Sequence, residues 1–371
     1  MKFEPFELER IQSIWEHQVD YNLSESGVHP LSFTELTGGD PAALARLANQ
    51  ELGYSQTNGT VALRERIAAL YPGTTPDHIL VTNGTAEANY VTIWSLLEAD
   101  DEIVLMLPNY MQIWGLARGF RGQVKPFYLR EKDAWSPDLD ELRRAISPKT
   151  RLIAVCNPNN PTGAILSESA RQAIVEAAAS VGAWLLADEV YQGAEREDAH
   201  TPSFWGSYEK VIVTNGLSKA YGLPGLRIGW IVAPPEITAR LWSYRDYTTI
   251  APGNLSDHIA QLALVPETRA WILARTRQIL RTNYPLVAEW LQAHAEMFQF
   301  TPPRAGAIVF MRYARDFNST ALTDKLREEQ SVLIVPGDYF GLDHHLRLGY
   351  GSPAEYLQTG LKRIHDCLLK L

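Results

Sequence analysis

The sequence is poor in cysteine and has no long run of apolar residues or of like charges. Its two cysteines, Cys156 and Cys367, lie far apart, and neither a disulfide framework nor the spacing of a Cys/His metal site is present. No segment approaches the ~18 consecutive apolar residues that suggest a membrane-spanning helix. The N-terminal segment, MKFEPFELERIQSIWEH, carries charges every few residues, unlike a signal peptide. We therefore expect a cytoplasmic protein with no metal and no membrane partner.

Positive charge is also scarce relative to negative charge. With 34 Lys and Arg against 43 Asp and Glu, the formal net charge is -9, and the mixed pattern gives no basic surface for nucleic acid. Hydrophobic residues make up 46% of the 371 residues, which is enough for a sizeable core in one large domain or two ordinary ones. We therefore expect a globular protein with no nucleic-acid partner.

Seven short apolar segments in the middle of the chain are typical of β-strands. Most are continuously apolar rather than alternating, as in strands that are buried on both faces of a parallel sheet. Amphipathic stretches with helical periodicity lie between several of them. The pattern predicts an α/β fold with a mainly parallel, seven-stranded sheet sandwiched by helices. The segments are HILVTNG, DEIVLMLP, QVKPFYL, RLIAVCNP, AWLLADEVY, KVIVTNGL and LRIGWIVAP.

The pattern changes after residue 253. A long helical stretch is followed by short apolar segments that alternate with helical ones, such as GAIVFMRYA and STALTDKLREEQ. This mixture predicts a smaller α+β C-terminal domain. We place an N-terminal arm at residues 1–35, a large cofactor-binding domain at 36–255 and the small domain at 256–371.

A lysine stands between a predicted strand and a Gly/Pro-rich turn in GLSKAYGLPGLRIGW, residues 216–230. Lys219 is suited to carbonyl chemistry if it is held near a cofactor, because an unprotonated amine is a nucleophile. Arg227 follows eight positions later, and together with Ser218 it can bind a phosphate dianion. Taken alone, the segment also fits a solvated loop.

Polar residues follow three other predicted strands. In LLADEVYQG the apolar strand ends in Asp188 and Tyr191 follows it, and Asn160 lies in the turn-rich VCNPNNPTG. The carboxyl ends of parallel strands face the crevice where ligands bind, and a carboxylate there can hold a pyridinium nitrogen protonated. In VTNGTAEANY, Gly84 precedes a helix whose first N–H groups form a phosphate site. Each segment alone also fits an ordinary turn or helix cap.

Taken together and in this order, SKAYGLPGLRIGW, NPNNPTG and DEVY resemble the class I/II aminotransferase family of fold-type I pyridoxal-phosphate enzymes, and the resemblance covers essentially the whole chain. It implies pyridoxal 5'-phosphate as the cofactor, and transfer of an amino group between an amino acid and a 2-oxo acid. Lys219 would carry the cofactor as a Schiff base and then move a proton as general acid and base. Asp188 would pair with the pyridinium nitrogen, while Tyr191 and Asn160 would hydrogen-bond the phenolic oxygen.

The same resemblance assigns roles to further positions. The residues that would bind the cofactor's phosphate are Gly84, Thr85, Ala86, Ser218 and Arg227. Tyr110 would stack on the cofactor ring. Arg347, Gly27 and Asn160 would bind the substrate, with the guanidinium taking its α-carboxylate. Tyr54 would reach the phosphate of the neighbouring subunit, which implies a homodimer with shared active sites.

The sequence departs from the family pattern at two places. Gly216 stands three residues before Lys219, where many relatives have Ser or Thr, so we expect Ser218 to carry more of the phosphate binding. Aspartate-type members use an additional Arg for a second carboxylate. Here YTTIAPGNLSDHIA occupies that region, with Arg245 slightly upstream. Specificity for dicarboxylates is therefore not indicated.

Two other segments, LSESGVHPLSFTEL and SYRDYTTIAPGNLSD, are similar to capreomycidine-synthase-like members of the family, which eliminate and cyclise a modified arginine. The ordinary NPNNPTG and DEVY motifs favour an aminotransferase, with a C–S lyase or a cyclase on the same scaffold as the alternative. Glu25 lies beside the segment that covers the substrate in this family. It can meet a basic side chain or be a plain solvated residue. A non-catalytic regulator is disfavoured, because no segment is left for a DNA-binding module.

Overall fold

A computed structural model describes residues 3–197 and 200–369. In this part of the chain the β-strands are β1 (Tyr21–Asn22), β2 (Ile79–Thr82), β3 (Glu102–Leu107), β4 (Gln123–Arg130), β5 (Ser136–Pro137), β6 (Thr150–Cys156), β7 (Trp184–Asp188), β8 (Val211–Gly216), β9 (Gly229–Val232), β10 (Phe298–Phe300), β11 (Ile308–Tyr313), β12 (Val332–Leu333), β13 (Val335–Pro336) and β14 (His345–Gly349). The α-helices are α1 (Glu7–Trp15), α2 (Phe33–Thr37), α3 (Pro41–Ala48), α4 (Val61–Ala68), α5 (Thr85–Leu96), α6 (Gln112–Gly119), α7 (Leu139–Ala145), α8 (Glu168–Val181), α9 (Pro235–Arg245), α10 (Asn254–Ala263), α11 (Pro266–Ala293), α12 (Ser319–Gln330) and α13 (Ala354–Leu368).

The large sheet has the strand order β2-β9-β8-β7-β6-β3-β4-β5. The strands β8, β7, β6, β3 and β4 run parallel to one another, whereas β9 is antiparallel to both of its neighbours. All seven predicted strands are confirmed. The eighth strand, β5, is a two-residue addition that pairs antiparallel with β4 at the edge. The mainly parallel α/β fold is therefore confirmed.

Helices cover both faces of this sheet, which explains why its strands are continuously apolar. In β7, Leu185 and Ala187 belong to one buried cluster, while Leu186 belongs to the other. Helix α8 contributes Ile174 to the first cluster, and α5 contributes Val91 to the second. Because successive side chains of a strand point to opposite faces, a strand between two helical layers must be apolar at every position.

Capping residues set the ends of several predicted helices. The Ser167 side chain accepts a hydrogen bond from the Ala170 N–H at the start of α8, and Gly182 ends this helix with a φ of 66°. Asp138 caps α7 in the same way, through the N–H of Glu141. Among the described residues, no helix has both the length and the apolar character needed to cross a membrane.

A second, smaller sheet is antiparallel and has the order β10-β11-β14-β13. Helix α11 precedes it in the chain and runs for 28 residues, continuing past Pro285. Strand β1, which lies near the N-terminus, pairs in parallel with β12, so the N-terminal segment adds to the smaller unit. The three-residue strand β10 was not predicted, because FQF is too short to show a pattern.

Candidate active site

A cleft of about 550 Å³ opens where β6, β7 and β8 end, and residues from both sheets line it. This is the edge at which the carboxyl ends of parallel strands gather their loops. The predicted site residues that line the cleft are Thr85, Ala86, Tyr110, Asn160, Tyr191, Ser218, Lys219, Arg227 and Arg347. The structure thus brings together residues that are as much as 262 positions apart in the sequence, from Thr85 to Arg347.

Lys219 follows β8 by three residues, and its side chain is 28% exposed. Its Nζ lies 3.9 Å from Oε2 of Glu25, so the amine faces the N-terminal segment. Gly27 passes close to the lysine. A Cβ there would lie 3.5 Å from the Cα of Lys219 and 3.3 Å from the carbonyl oxygen of Ser218. The absence of a side chain at Gly27 lets the N-terminal segment lie against this loop.

Asp188 is the last residue of β7 and is buried. Its two oxygens accept hydrogen bonds from Nδ2 of Asn89 and from the N–H of Val190, both at 3.1 Å. Burial raises the pKa of Asp188 to about 6, against the effect of these donors and of Lys219. A cationic group placed beside the carboxylate would favour its ionised form.

Arg347 lies in β14, at the bottom of the cleft, and is 1% exposed. Its guanidinium donates to Oδ1 of Asn160 at 2.9 Å and to the carbonyl oxygen of Ser24 at 2.6 Å. Both partners are uncharged, and within the described part of the chain its buried Nε has no hydrogen-bond partner. Burial lowers the pKa of this guanidinium. A buried cation with uncharged partners is suited to an anionic ligand such as a carboxylate.

Tyr191 and Tyr110 place hydroxyl groups on two sides of the cleft. Tyr191 donates to Oγ of Ser26 at 2.8 Å, and Tyr110 donates to Oε1 of Glu9 at 2.7 Å. Burial raises the pKa of both phenols, and the Glu9 carboxylate adds to the effect at Tyr110. Both side chains therefore remain neutral hydrogen-bond donors at physiological pH.

The N-terminus of α5 lies at one end of the cleft, where Thr85 and Ala86 line it. Gly84 precedes this 12-residue helix with a φ of 79°. A Cβ at Gly84 would lie 2.4 Å from Nη2 of Arg227, so the guanidinium lies directly against the helix start. The Oγ1 of Thr85 is buried and has no hydrogen-bond partner in the described structure. Exposed helix N–H groups, a guanidinium and a free hydroxyl fit a phosphate group.

Steric crowding explains why glycine stands at position 216, where the sequence departs from the family pattern. A Cβ there would lie 2.6 Å from Oγ1 of Thr85 and 3.1 Å from Cα of Gly229. Gly229 is equally tight, since its Cβ would lie 2.5 Å from the backbone N of Thr85. The Thr85 hydroxyl therefore occupies the space that a larger residue at position 216 would need.

Helix α1 lines the outer part of the cleft, which the sequence analysis did not predict. Its contribution comes from polar side chains with helical spacing, namely Glu9, Gln12, Ser13 and Glu16. Leu8 also lines the cleft, and Leu8, Ile11 and Gln12 are the buried residues of this helix. The signal was present in ELERIQSIW as an amphipathic pattern. It did not reveal that the polar face would turn towards a site rather than towards solvent.

Tyr54 and Arg245 lie outside the cleft. Tyr54 is 88% exposed and stands beside residues 249–256 in a separate surface depression. Arg245 is fully buried, 3.3 Å from Oε2 of Glu87, and also donates to the carbonyl oxygen of Ile250. Arg245 thus holds two segments of the chain together and does not line the cleft.

A lysine, a buried aspartate and a helix N-terminus beside an arginine, at the edge of a mainly parallel sheet, are the arrangement of a fold-type I pyridoxal-phosphate enzyme. Residues 37–364 match the family model described as aminotransferase class I and II, and the chain belongs to this family. Capreomycidine synthase from Streptomyces vinaceus is 33% identical over 94% of this chain and 90% of its own length.

Two solved structures show the same architecture. A PLP-dependent aminotransferase from Streptococcus suis 89-1591 has a TM-score of 0.93 at 33% identity, covering 100% of this chain and 99% of that one. The PLP-dependent cyclase OrfR has a TM-score of 0.90 at 29% identity, covering 100% of this chain and 98% of that one. The predicted family and the predicted cofactor are confirmed. Both transamination and cyclisation occur among these relatives, so family membership does not choose between them.

Proposed function

We propose that this protein is an aminotransferase that moves an amino group between an amino acid and a 2-oxo acid. The observation that carries the proposal is the cleft that Lys219 and Arg347 share, with a buried guanidinium that has only uncharged partners. A 2-amino acid offers the two groups that this pair can engage, an α-carboxylate for Arg347 and an α-carbon proton for Lys219. The pair therefore fits a substrate with both groups on one carbon.

Pyridoxal phosphate, when bound, supplies an electron sink for the bonds of the substrate's α-carbon. The chain's own residues do the rest. Lys219 anchors the cofactor and then carries a proton on Nζ from the α-carbon to the cofactor. Asp188 keeps the cofactor's ring nitrogen protonated. Its carboxylate is effective in this role because it is buried, so water does not screen its negative charge. Tyr191 and Asn160 hold the phenolic oxygen, and Tyr110 covers the ring.

The phosphate of the cofactor belongs, in this proposal, at the N-terminus of α5. Behind Gly84, whose own N–H donates to the carbonyl oxygen of Thr82, Thr85 and Ala86 offer backbone N–H groups and the Thr85 hydroxyl, while Ser218 and Arg227 close the site from the other side. The free hydroxyl of Thr85 supports this placement, because a buried hydroxyl without a partner costs free energy until a ligand satisfies it.

We further propose that the protein is a homodimer in which Tyr54 completes the site of the partner subunit. Two large apolar side chains in the same surface depression as Tyr54, those of Leu52 and Leu255, are also exposed, as expected for a surface that a second copy of the chain covers. Tyr54 does not reach the cleft of its own chain, so only a second chain can bring it to a cofactor.

A lyase or cyclase that acts on a basic amino acid is the second candidate. Three carboxylates, those of Glu9, Glu16 and Glu25, line the same cleft. They would favour a cationic side chain of the substrate, and the capreomycidine synthase and OrfR likenesses point to the same class of reaction.

An amino-acid panel separates the two candidates. The purified holoenzyme is mixed with arginine, ornithine, glutamine or norleucine, and absorbance follows conversion of the cofactor to its pyridoxamine form. Cystathionine and 3-hydroxyarginine, which carry a leaving group on the β-carbon, are included because the lyase and cyclase reactions need one. Conversion without release of ammonia supports transamination. Release of ammonia, or a cyclised product detected by mass spectrometry, contradicts it and supports the second candidate. The Lys219→Ala variant gives the background of non-enzymatic reaction.

A further inference from the structure

Asn89 lies on α5, beneath the cleft, and is 1% exposed. Its side chain makes hydrogen bonds to residues of three other elements, β7, α6 and β8. Its Nδ2 donates to Oδ2 of Asp188 at 3.1 Å and to Oε1 of Gln112 at 3.3 Å. Its Oδ1 accepts from the Thr214 hydroxyl at 2.9 Å. Both amide protons and the amide oxygen are therefore engaged.

The neighbours of Asn89 fix which way its amide points. Thr214, in β8, is buried and donates to the oxygen, so the NH₂ group faces the carboxylate. A reversed amide would place Oδ1 against the Asp188 carboxylate, where two acceptors would repel each other. Gln112 is held in turn, because its Nε2 donates to the carbonyl oxygen of Ala86 at 2.9 Å.

This network bears on the ionisation of Asp188. Both carboxylate oxygens receive a donor, one from Asn89 and the other from the N–H of Val190. Donors of this kind stabilise the ionised acid. They oppose the effect of burial, which favours the neutral acid.

We propose that Asn89, held by Thr214 and Gln112, is a positioning residue that keeps Asp188 ionised and fixes its direction towards the cofactor's ring nitrogen. The inference rests on the proposed role of Asp188. It also links the two ends of the cofactor site, because Gln112 ties Asn89 to Ala86 in the phosphate-binding segment.

The test uses the holoenzyme loaded with ¹⁵N-labelled pyridoxal phosphate, whose ring-nitrogen chemical shift reports protonation directly. Asn89→Leu keeps the approximate volume and removes the amide. We expect the ¹⁵N signal to move towards the unprotonated value. We also expect kcat to fall by on the order of 10-fold to 100-fold, as for a lost hydrogen bond to a charged group, with KM for the amino acid changed by less than about threefold.

Thr92→Val is the matched control. Thr92 is buried on the same helix, and among the described residues its hydroxyl bonds only to the carbonyl oxygen of Ala88 within that helix. The control should keep the protonated signal and the wild-type kcat. Thr214→Val, which removes only the support of the Asn89 oxygen, should give a smaller shift in the same direction, and it provides the readout should Asn89→Leu not fold.

Two results would overturn the inference. If Thr214→Val and a folded Asn89→Leu both keep a protonated ring nitrogen and a kcat within about twofold of wild type, Asn89 does not position Asp188. The Asp188→Asn variant separates this failure from that of the proposed function. If kcat falls strongly in Asp188→Asn but not in the Asn89 and Thr214 variants, the proposed role of Asp188 stands and only the role of Asn89 is refuted. If kcat and the ring-nitrogen signal are unchanged in Asp188→Asn, both proposed roles are refuted.

Discussion

Replacing Gly216 by the serine that many relatives carry should weaken cofactor binding, although serine is the more usual residue there. A Cβ at position 216 would meet Oγ1 of Thr85 at 2.6 Å, the carbonyl oxygen of Ile228 at 3.0 Å and Cα of Gly229 at 3.1 Å. Two of these neighbours are backbone atoms, so Thr85 is the group that can give way. Its hydroxyl would then turn away from the phosphate site.

The magnitude follows from two costs. Overpacking a buried site lowers the free energy of unfolding by about 1–3 kcal/mol, which a thermal melt of the apoprotein measures. Loss of a hydrogen bond to a charged phosphate costs about 1.5–3 kcal/mol, which corresponds to roughly 10-fold to 150-fold weaker binding of pyridoxal phosphate. Fluorescence titration of the apoprotein gives this dissociation constant.

The double variant Thr85→Ala/Gly216→Ser provides the decisive comparison. Removing the Thr85 hydroxyl makes room for the new serine, whose own hydroxyl then faces the phosphate. We expect the double variant to bind the cofactor more tightly than either single variant, a clear departure from additivity. The control is Gly115→Ser, since a Cβ at Gly115 meets no atom within 4 Å. Wild-type affinity and stability in Gly216→Ser, or strictly additive losses in the double variant, would refute the steric argument.

Three further outcomes are expected. Lys219→Ala should still bind pyridoxal phosphate loosely, but borohydride should no longer fix it to the protein; fixation at another lysine would contradict the assignment. Burial raises the pKa of Asp188 to about 6. The apoprotein therefore loses stability as pH rises from about 4 to 6, because Asp188 ionises more readily in the unfolded chain than in the folded protein. Asp188→Asn should therefore gain stability relative to wild type on going from pH 5 to pH 8, by about 1–2 kcal/mol in urea unfolding, and a pH-independent difference would argue against the raised pKa. Heterodimers with Tyr54→Phe on one chain and Lys219→Ala on the other should show near-normal turnover per intact lysine if Tyr54 acts in trans, and the Tyr54→Phe defect if it acts in cis.

The sequence predicted the structure best at positions where burial and chemistry both restrict the choice of residue. The strands of the large sheet were predictable because burial on both faces leaves only apolar residues, and their polar ends marked the cleft. Lys219 and Asp188 stand out because a charged residue at the end of such a strand is costly without a role. The two-residue strands β1 and β5 were not predictable, because pairing with distant segments, not local pattern, defines them.

The contribution of α1 was hidden for a different reason. In the sequence, Glu9 and Glu16 look like solvent-exposed residues of an amphipathic helix, and only the folded chain shows that they line the cleft together with the buried Leu8 and Gln12. Asn89 was hidden in the same way, since a single asparagine in the apolar helix ANYVTIWSLL carries no local pattern. Its meaning depends on Asp188, a residue 99 positions away.

The residues around the cleft also divide by the part of the chain from which they come. Those proposed to bind the cofactor in the same chain, from Gly84 to Arg227, lie on the helices and loops around the large sheet, whereas Glu9, Glu16 and Glu25 come from α1 and from the segment that follows it. Arg347, from the small sheet, joins the two groups by donating hydrogen bonds to both Asn160 and the carbonyl oxygen of Ser24.

The aminotransferase and cyclase proposals share the same residues for the cofactor. They differ in which substrate side chain the N-terminal carboxylates contact. An amino acid with a neutral side chain offers no positive charge to Glu9, Glu16 and Glu25, whereas a guanidinium does. A preference for arginine over norleucine in the amino-acid panel thus tests whether the N-terminal carboxylates recognise a cationic side chain. Release of ammonia, or a cyclised product, tests whether the reaction is a lyase or cyclase reaction rather than transamination.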